Sequence, residues 1–233
     1  MSEHSPEALA LQLDAARAKL RLWREVEPVY QKQFEEVLAP LESAALELKA
    51  KLVLCFDHAC KQKELTRAER ELASELVQQL GQETLAAIVL DGTPADCDVD
   101  RLKAVYLKHS GSDFDAEVAD ELAEIQAHAV TLALAVPPEP DPGPDLAAQL
   151  AAVRRELLAV EEHFAARFHF DPDQDIDPAE LMDDLAAEIE DAEEYIGELE
   201  FELTQFVDMQ QVKAWLKAMK KQLDANKRRD ARS

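Results

Sequence analysis

Apolar side chains recur along most of this chain at alternating steps of three and four residues, a spacing that only an α-helix turns into one continuous face. Leu9, Leu13, Ala16, Leu20 and Trp23 set the rhythm, and Leu146, Leu150, Val153, Leu157, Val160 and Phe164 repeat it. Leu181, Leu185, Ile189, Ala192, Ile196, Leu199, Leu203 and Phe206 hold it over several heptads. Such a face must be covered by another helix, so the spacing predicts an all-α fold, with long helical arms of coiled-coil character flanking a small helical bundle. The composition agrees: the chain has only 5 glycines and 6% aromatic residues, and Ala and Leu dominate its apolar content. Residues 51–54 are too short a run to read as a strand against their helical surroundings.

Local signals divide the chain into four segments. Ser5-Pro6-Glu7 opens the first helix, with Ser5 as cap and Pro6 where a missing N–H costs nothing. Pro28 predicts a kink or boundary near Glu27, and Pro40 a bend, within an arm over residues 1–64. Thr66 and Glu69 match a capping box and start a four-helix bundle over 65–136, with Gly81 expected to break its first apolar run into two short helices. Residues 137–144, with five prolines, read as a spacer. Residues 145–233 read as a helix capped by Asp145, then a long acidic coiled-coil helix restarted at Asp177-Pro178, with a register slip at 209–212 and a basic C-terminus.

Charge narrows the function classes. The net charge is −24, from 49 acids against 25 bases, which opposes DNA, RNA and anionic membranes and favours a basic protein partner. Cys55, Cys60 and Cys97 are odd in number and lack metal-ligand spacing, so neither a disulfide framework nor a zinc site is expected. With no basic leader and no apolar run of spanning length, the sequence reads as cytoplasmic.

Between Arg167 and Lys213 there is no lysine or arginine, while acids crowd the stretch. A parallel pairing of this helix with its own copy would set like charges side by side, so Glu190, Asp191, Glu193, Glu194 and Glu198 are the expected contacts for a basic surface. That surface can also be internal: Arg17, Lys19, Arg21, Arg24 and Lys32 on the first arm would neutralise part of the field in an antiparallel contact between the arms. Heptad seams close equally well within one chain or between two copies, so a homodimer is among the arrangements allowed.

Catalytic and metal readings fare worse. The acidic loop 171–177 alternates carboxylates as a calcium loop does, but Ile176 stands where the glycine belongs and Met182 where a bidentate glutamate belongs. His163 and His169 are six apart, not one helical turn, and read as surface histidines. Cys55, Asp57 and His58 form no thiol–base pair of the needed geometry, and no phosphate loop, dinucleotide fingerprint or nucleophile elbow occurs. No cofactor, metal or catalytic residue is therefore expected. The basic residues from Lys213 to Arg232 answer a helix dipole better than a polyanion.

Residues 23–114 carry Leu22-Trp23 with Val29-Tyr30, Ala39-Pro40-Leu41, Lys63-Glu64-Leu65-Thr66 with Glu69, and Lys103-Ala104-Val105-Tyr106-Leu107-Lys108-His109-Ser110 leading into Asp113-Phe114-Asp115. This pattern resembles the N-terminal region of bacterial J-domain-containing, co-chaperone-like proteins, and residues 168–182 are similar to a later part of that family. In the family a J-domain with a His-Pro-Asp triplet follows and stimulates the seventy-kilodalton heat-shock chaperone. No such triplet occurs here, so the resemblance implies a helical partner-binding module, with Lys108, His109, Asp113 and Phe114 as contacts, and carries no co-chaperone catalysis. The expectation is thus a non-enzymatic helical adaptor, possible in chaperone-associated work, or alternatively an acidic decoy that imitates nucleic acid to occupy a basic protein.

Overall fold

The computed structural model describes residues 5–119, 145–171 and 176–230, excluding the side chains of 222–230. The expected linker 137–144, the bundle helix beyond residue 119 and part of the acidic loop fall outside these. The described residues are all-α, with no strand among them. The helices are α1 (Pro6–Gln33), α2 (Ala39–Cys60), α3 (Arg67–Asp91), α4 (Val99–Ser110), α5 (Leu146–Arg167), α6 (Leu181–Thr204) and α7 (Met209–Asp230), and residues 114–119 are also helical.

The prolines behave differently from expectation. Pro28 lies inside α1 with no boundary at Glu27. Before Pro40 the helix widens into a π-turn, Phe34–Leu38, in which the Ala39 N–H reaches back to the Phe34 carbonyl. A π-turn is a common way to insert one residue into a helix, and here it sits where proline lacks a donor of its own. Gly81 does not break α3. It is buried in the helix interior, and a Cβ added there would come 3.3 Å from the Tyr106 ring, so the glycine admits α4 at close range. The slip expected at 209–212 falls slightly earlier, at a 3-10 turn (Gln205–Val207) and an extended Asp208. The Asp208 carboxylate accepts from the Gln210 N–H at 2.9 Å, so α7 is a new, capped helix and not a continuation of α6.

Contacts group the chain into two compact units that do not follow the order of its segments. The first joins described residues 5–39 with 145–190. Here α1 packs along α5. Arg17 and Arg24 meet Gln149 and Glu156, while Gln12 and Lys19 meet Arg154 and Glu161, so both helices advance together by seven residues and run parallel. These pairs flank a seam of Leu13, Leu20, Trp23 and Leu150, as e and g positions flank an a/d seam. Arg17, Lys19 and Arg24 of α1 are thus engaged by α5, in a parallel contact and not the antiparallel one expected.

At its far end the seam becomes aromatic. Phe164, fully buried, lies 4.9 Å from Trp23, 5.0 Å from Tyr30 and 4.7 Å from Phe168, centroid to centroid. Helix α5 stops there because His169 adopts φ 58°, which lets the Phe170 N–H bond the Ala165 carbonyl at 3.0 Å and returns the Phe170 ring to within 5.5 Å of Phe164. This left-handed position suits glycine and opposes β-branched residues. We expect His169→Val to lower stability by about 1–2 kcal/mol and His169→Gly to leave it unchanged or raised, read by urea denaturation; equal effects of the two would refute the role of this backbone turn.

The second unit joins described residues 40–119 with 191–230. Its core takes Leu52, Val53 and Phe56 from α2, Ala73, Val77 and Leu85 from α3, Leu102 and Tyr106 from α4, Leu199 from α6, and Val212 and Leu216 from α7. The bundle thus draws on helices expected to lie outside it, because α3 and α4 bury their apolar faces only with α2 and α7 against them.

Candidate functional site

The acidic residues singled out from the sequence all lie on α6 and are all exposed. Glu190 closes the part of the helix in the first unit; Asp191, Glu193, Glu194 and Glu198 belong to the second. Helix geometry at 100° per residue sets Leu199 and Leu203 on the inner face and Asp191, Glu194 and Glu198 on the outer one. Phe201 falls on the outer face as well, seven residues after Glu194, and is 66% exposed. Among the described residues none of these acids forms an ion pair or a side-chain hydrogen bond. On the same helix the Tyr195 ring carries a cation, the Lys49 ammonium, which sits 5.0 Å from its centroid.

Crowding of like charge shows in the flanking acids. Burial and then the Glu198 carboxylate push Glu202 above the usual range, and burial and then Asp184 do the same to Glu188. Gly197 completes the face. Glycine inside a helix is about 1 kcal/mol less favourable than alanine, yet a Cβ here would meet nothing within 4 Å, so no packing within the described chain requires it. The result is a shallow strip with a glycine at its centre, carboxylates on both sides and an exposed phenylalanine at one end. It has no convergent donors or nucleophile, and what it can do chemically is attract cations and cover an apolar group.

Of the other expected contacts, Phe114 and the His109 ring are turned inward, while Lys108 and Asp113 stay exposed. Phe114 is 2% exposed and packs edge-on against Tyr106 at 6.0 Å. Asp113 accepts from the Asp115 N–H at 3.0 Å, a local turn bond. Lys108 and His109 both bond Asp57 of α2, His109 through Nε2 at 2.9 Å, and Lys61 bonds the other carboxylate oxygen at 2.6 Å. The His109 ring is further held by the Ser74 hydroxyl at 2.8 Å from Nδ1, and its carbonyl accepts from Gln78 at 2.8 Å. Burial alone would raise the Asp57 carboxyl, but the bonds from Lys108, Lys61 and His109 outweigh it and hold the group well below the usual carboxylate range.

Although serine, histidine and aspartate are chained here, Ser74 lies mid-helix on α3, where the backbone N–H groups are spent within the helix and none is left to stabilise an oxyanion. The cluster ties α2, α3 and α4 together. Sequence reasoning missed it, although one signal was present: Asp57 falls in step with Val53, Phe56 and Cys60 on an apolar stripe, with Lys61 one turn on.

Among the described residues no group of three or more His, Cys, Asp and Glu side chains is arranged to hold a metal, and no helix is long and apolar enough to cross a membrane. Comparison with protein-family models, curated proteins and solved structures finds no significant match.

Proposed function

We propose that this chain is a non-catalytic helical adaptor whose outer α6 face binds a basic protein segment carrying an apolar side chain. The observation that carries this reading is the conjunction on one face of unpaired Asp191, Glu194 and Glu198 with a 66% exposed Phe201. A solvated acidic helix needs no exposed aromatic, and a large apolar group ringed by charge is the usual make-up of a binding hot spot. Three of the α1 cations that could have neutralised the acids, Arg17, Lys19 and Arg24, are engaged by α5. The setting this reading takes is cytoplasmic, from the cysteine content, and chaperone-associated, from the family resemblance.

The test uses a lysine- and leucine-rich amphipathic peptide as probe, titrated by fluorescence anisotropy. Asp191→Asn/Glu194→Gln/Glu198→Gln is expected to weaken binding about tenfold at 50 mM salt and much less at 0.5 M, where the screening length is only a few ångströms. Phe201→Ala is expected to cost about tenfold at both salts, as an apolar anchor does. Loss of the first effect refutes the adaptor reading. If the charge effect persists while Phe201→Ala is silent, the face acts as the purely electrostatic decoy of a polyanion.

A further inference from the structure

The second unit contains a cavity of about 370 Å³ whose floor is apolar, from Leu54, Ala59, Phe206 and Met209, and whose rim is polar, from the cations Lys51 and Arg101 and the His58 ring. This volume lies within the range of small-ligand pockets, and walls of this kind with a few polar groups at the mouth are their usual make-up. Lys51, Cys55 and His58 stand on successive turns of α2, and this helix, with Leu54 and Ala59, supplies part of the floor and two of the three rim residues.

The polar rim residues differ in what they already hold. Lys51 is bridged to Glu47 at 2.5 Å, and the His58 ring lies 2.8 Å from the Gln62 amide nitrogen. The Arg101 guanidinium has no ion-pair or hydrogen-bond partner among the described residues. In a chain with 49 acids to 25 bases, a cation left unpaired at the mouth of an apolar cavity is complementary to an anion from outside. Cys55, which also borders the cavity, carries a thiol that burial pushes up, so it remains neutral and does not repel an anion.

The geometry points to a binding site for a small amphiphilic carboxylate, with the carboxylate on Arg101 and its apolar body against Leu54, Phe206 and Met209. A guanidinium meets a carboxylate through two parallel hydrogen bonds, which fixes which end of the ligand stays at the mouth. The site stands apart from the acidic α6 face and does not depend on it.

Calorimetric titration with octanoate tests the site, with acetate supplying the charge without the chain and octylammonium the chain with the opposite charge. Octanoate is expected to bind while acetate and octylammonium do not. Arg101→Glu, at an exposed position that leaves the core untouched, is expected to weaken octanoate at least about tenfold, and Arg101→Lys to recover part of the loss. Saturating octanoate is expected to slow maleimide labelling of Cys55, mapped by peptide mass, several-fold relative to Cys97. Absence of octanoate binding, equal binding of octylammonium, indifference to Arg101→Glu, or unchanged Cys55 labelling each overturns the assignment.

Discussion

Phe164→Ala is expected to cost about 3–5 kcal/mol, the range for removing a fully buried aromatic side chain from a packed core. The ring sits within 5.5 Å of the centroids of Trp23, Tyr30, Phe168 and Phe170, so its loss leaves a cavity bordered by four rigid rings that cannot collapse into it. It also removes the apolar contact behind the left-handed turn at His169. The measurement is urea unfolding followed through Trp23 in a Trp215→Phe background. With a slope of about 2 kcal/mol per molar urea, the midpoint should fall by about 2 M. Phe164→Leu, which keeps much of the volume, should lose only about 1–1.5 kcal/mol. A Phe164→Ala midpoint within about 0.5 M of the parent would mean that these rings do not form the core of the first unit.

That core shows how far a sequence carries. The seam positions Leu13, Leu20, Trp23, Leu150 and Phe164 are legible because burial and helical spacing are both local properties of a helix. The caps are legible for the same reason. Ser5 accepts from the Ala8 N–H at 3.2 Å, and Thr66 and Glu69 exchange bonds of 3.3 and 2.8 Å as their spacing implies. A seam, however, says that a helix needs a partner, not which partner or in which direction. Parallel pairing of α1 with α5 rests on contacts more than 130 residues apart, such as Arg24 with Glu156, and nothing local distinguishes it from the antiparallel contact with α6.

The candidate site divides along the same line. Exposure of Asp191, Glu194 and Glu198 follows from their position off the Leu199 and Leu203 stripe of one helix, so the acidic face was readable. Phe201 was not, because an aromatic beside a regular seam is ordinarily assigned to the core; only the fold shows that it faces out. The engagement of Lys108 and His109 by Asp57 was not readable. Polar residues near a helix end read as surface, and the bonds of both residues to Asp57, with the burial of the His109 ring, depend on a carboxylate 51 and 52 residues away. The cavity behind Arg101 was likewise invisible, since four separate elements line it.

Asp57→Ala is expected to cost about 3 kcal/mol, the lower end of what removing one partner from a buried ion-paired cluster costs. The two lysines contribute little to this figure, because their side chains are 58% and 50% exposed and can return to water. His109 decides it: its side chain is 7% exposed and loses the acceptor on Nε2, leaving a buried polar group without a partner. Asp57→Asn should be nearly as costly, since the amide presents a donor where three donors already converge. The pH dependence separates this from a simple packing loss. A carboxyl held below its ordinary value of 3.8 in the folded chain stabilises it fully above that pH and loses the contribution as pH falls through its lowered value. The stability gap between parent and Asp57→Ala, measured in urea from pH 7 to pH 3, should therefore be level down to about pH 4 and then narrow. A gap under about 1 kcal/mol at neutral pH, or one that stays level to pH 3, would show that Asp57 is not the acceptor that joins α2, α3 and α4.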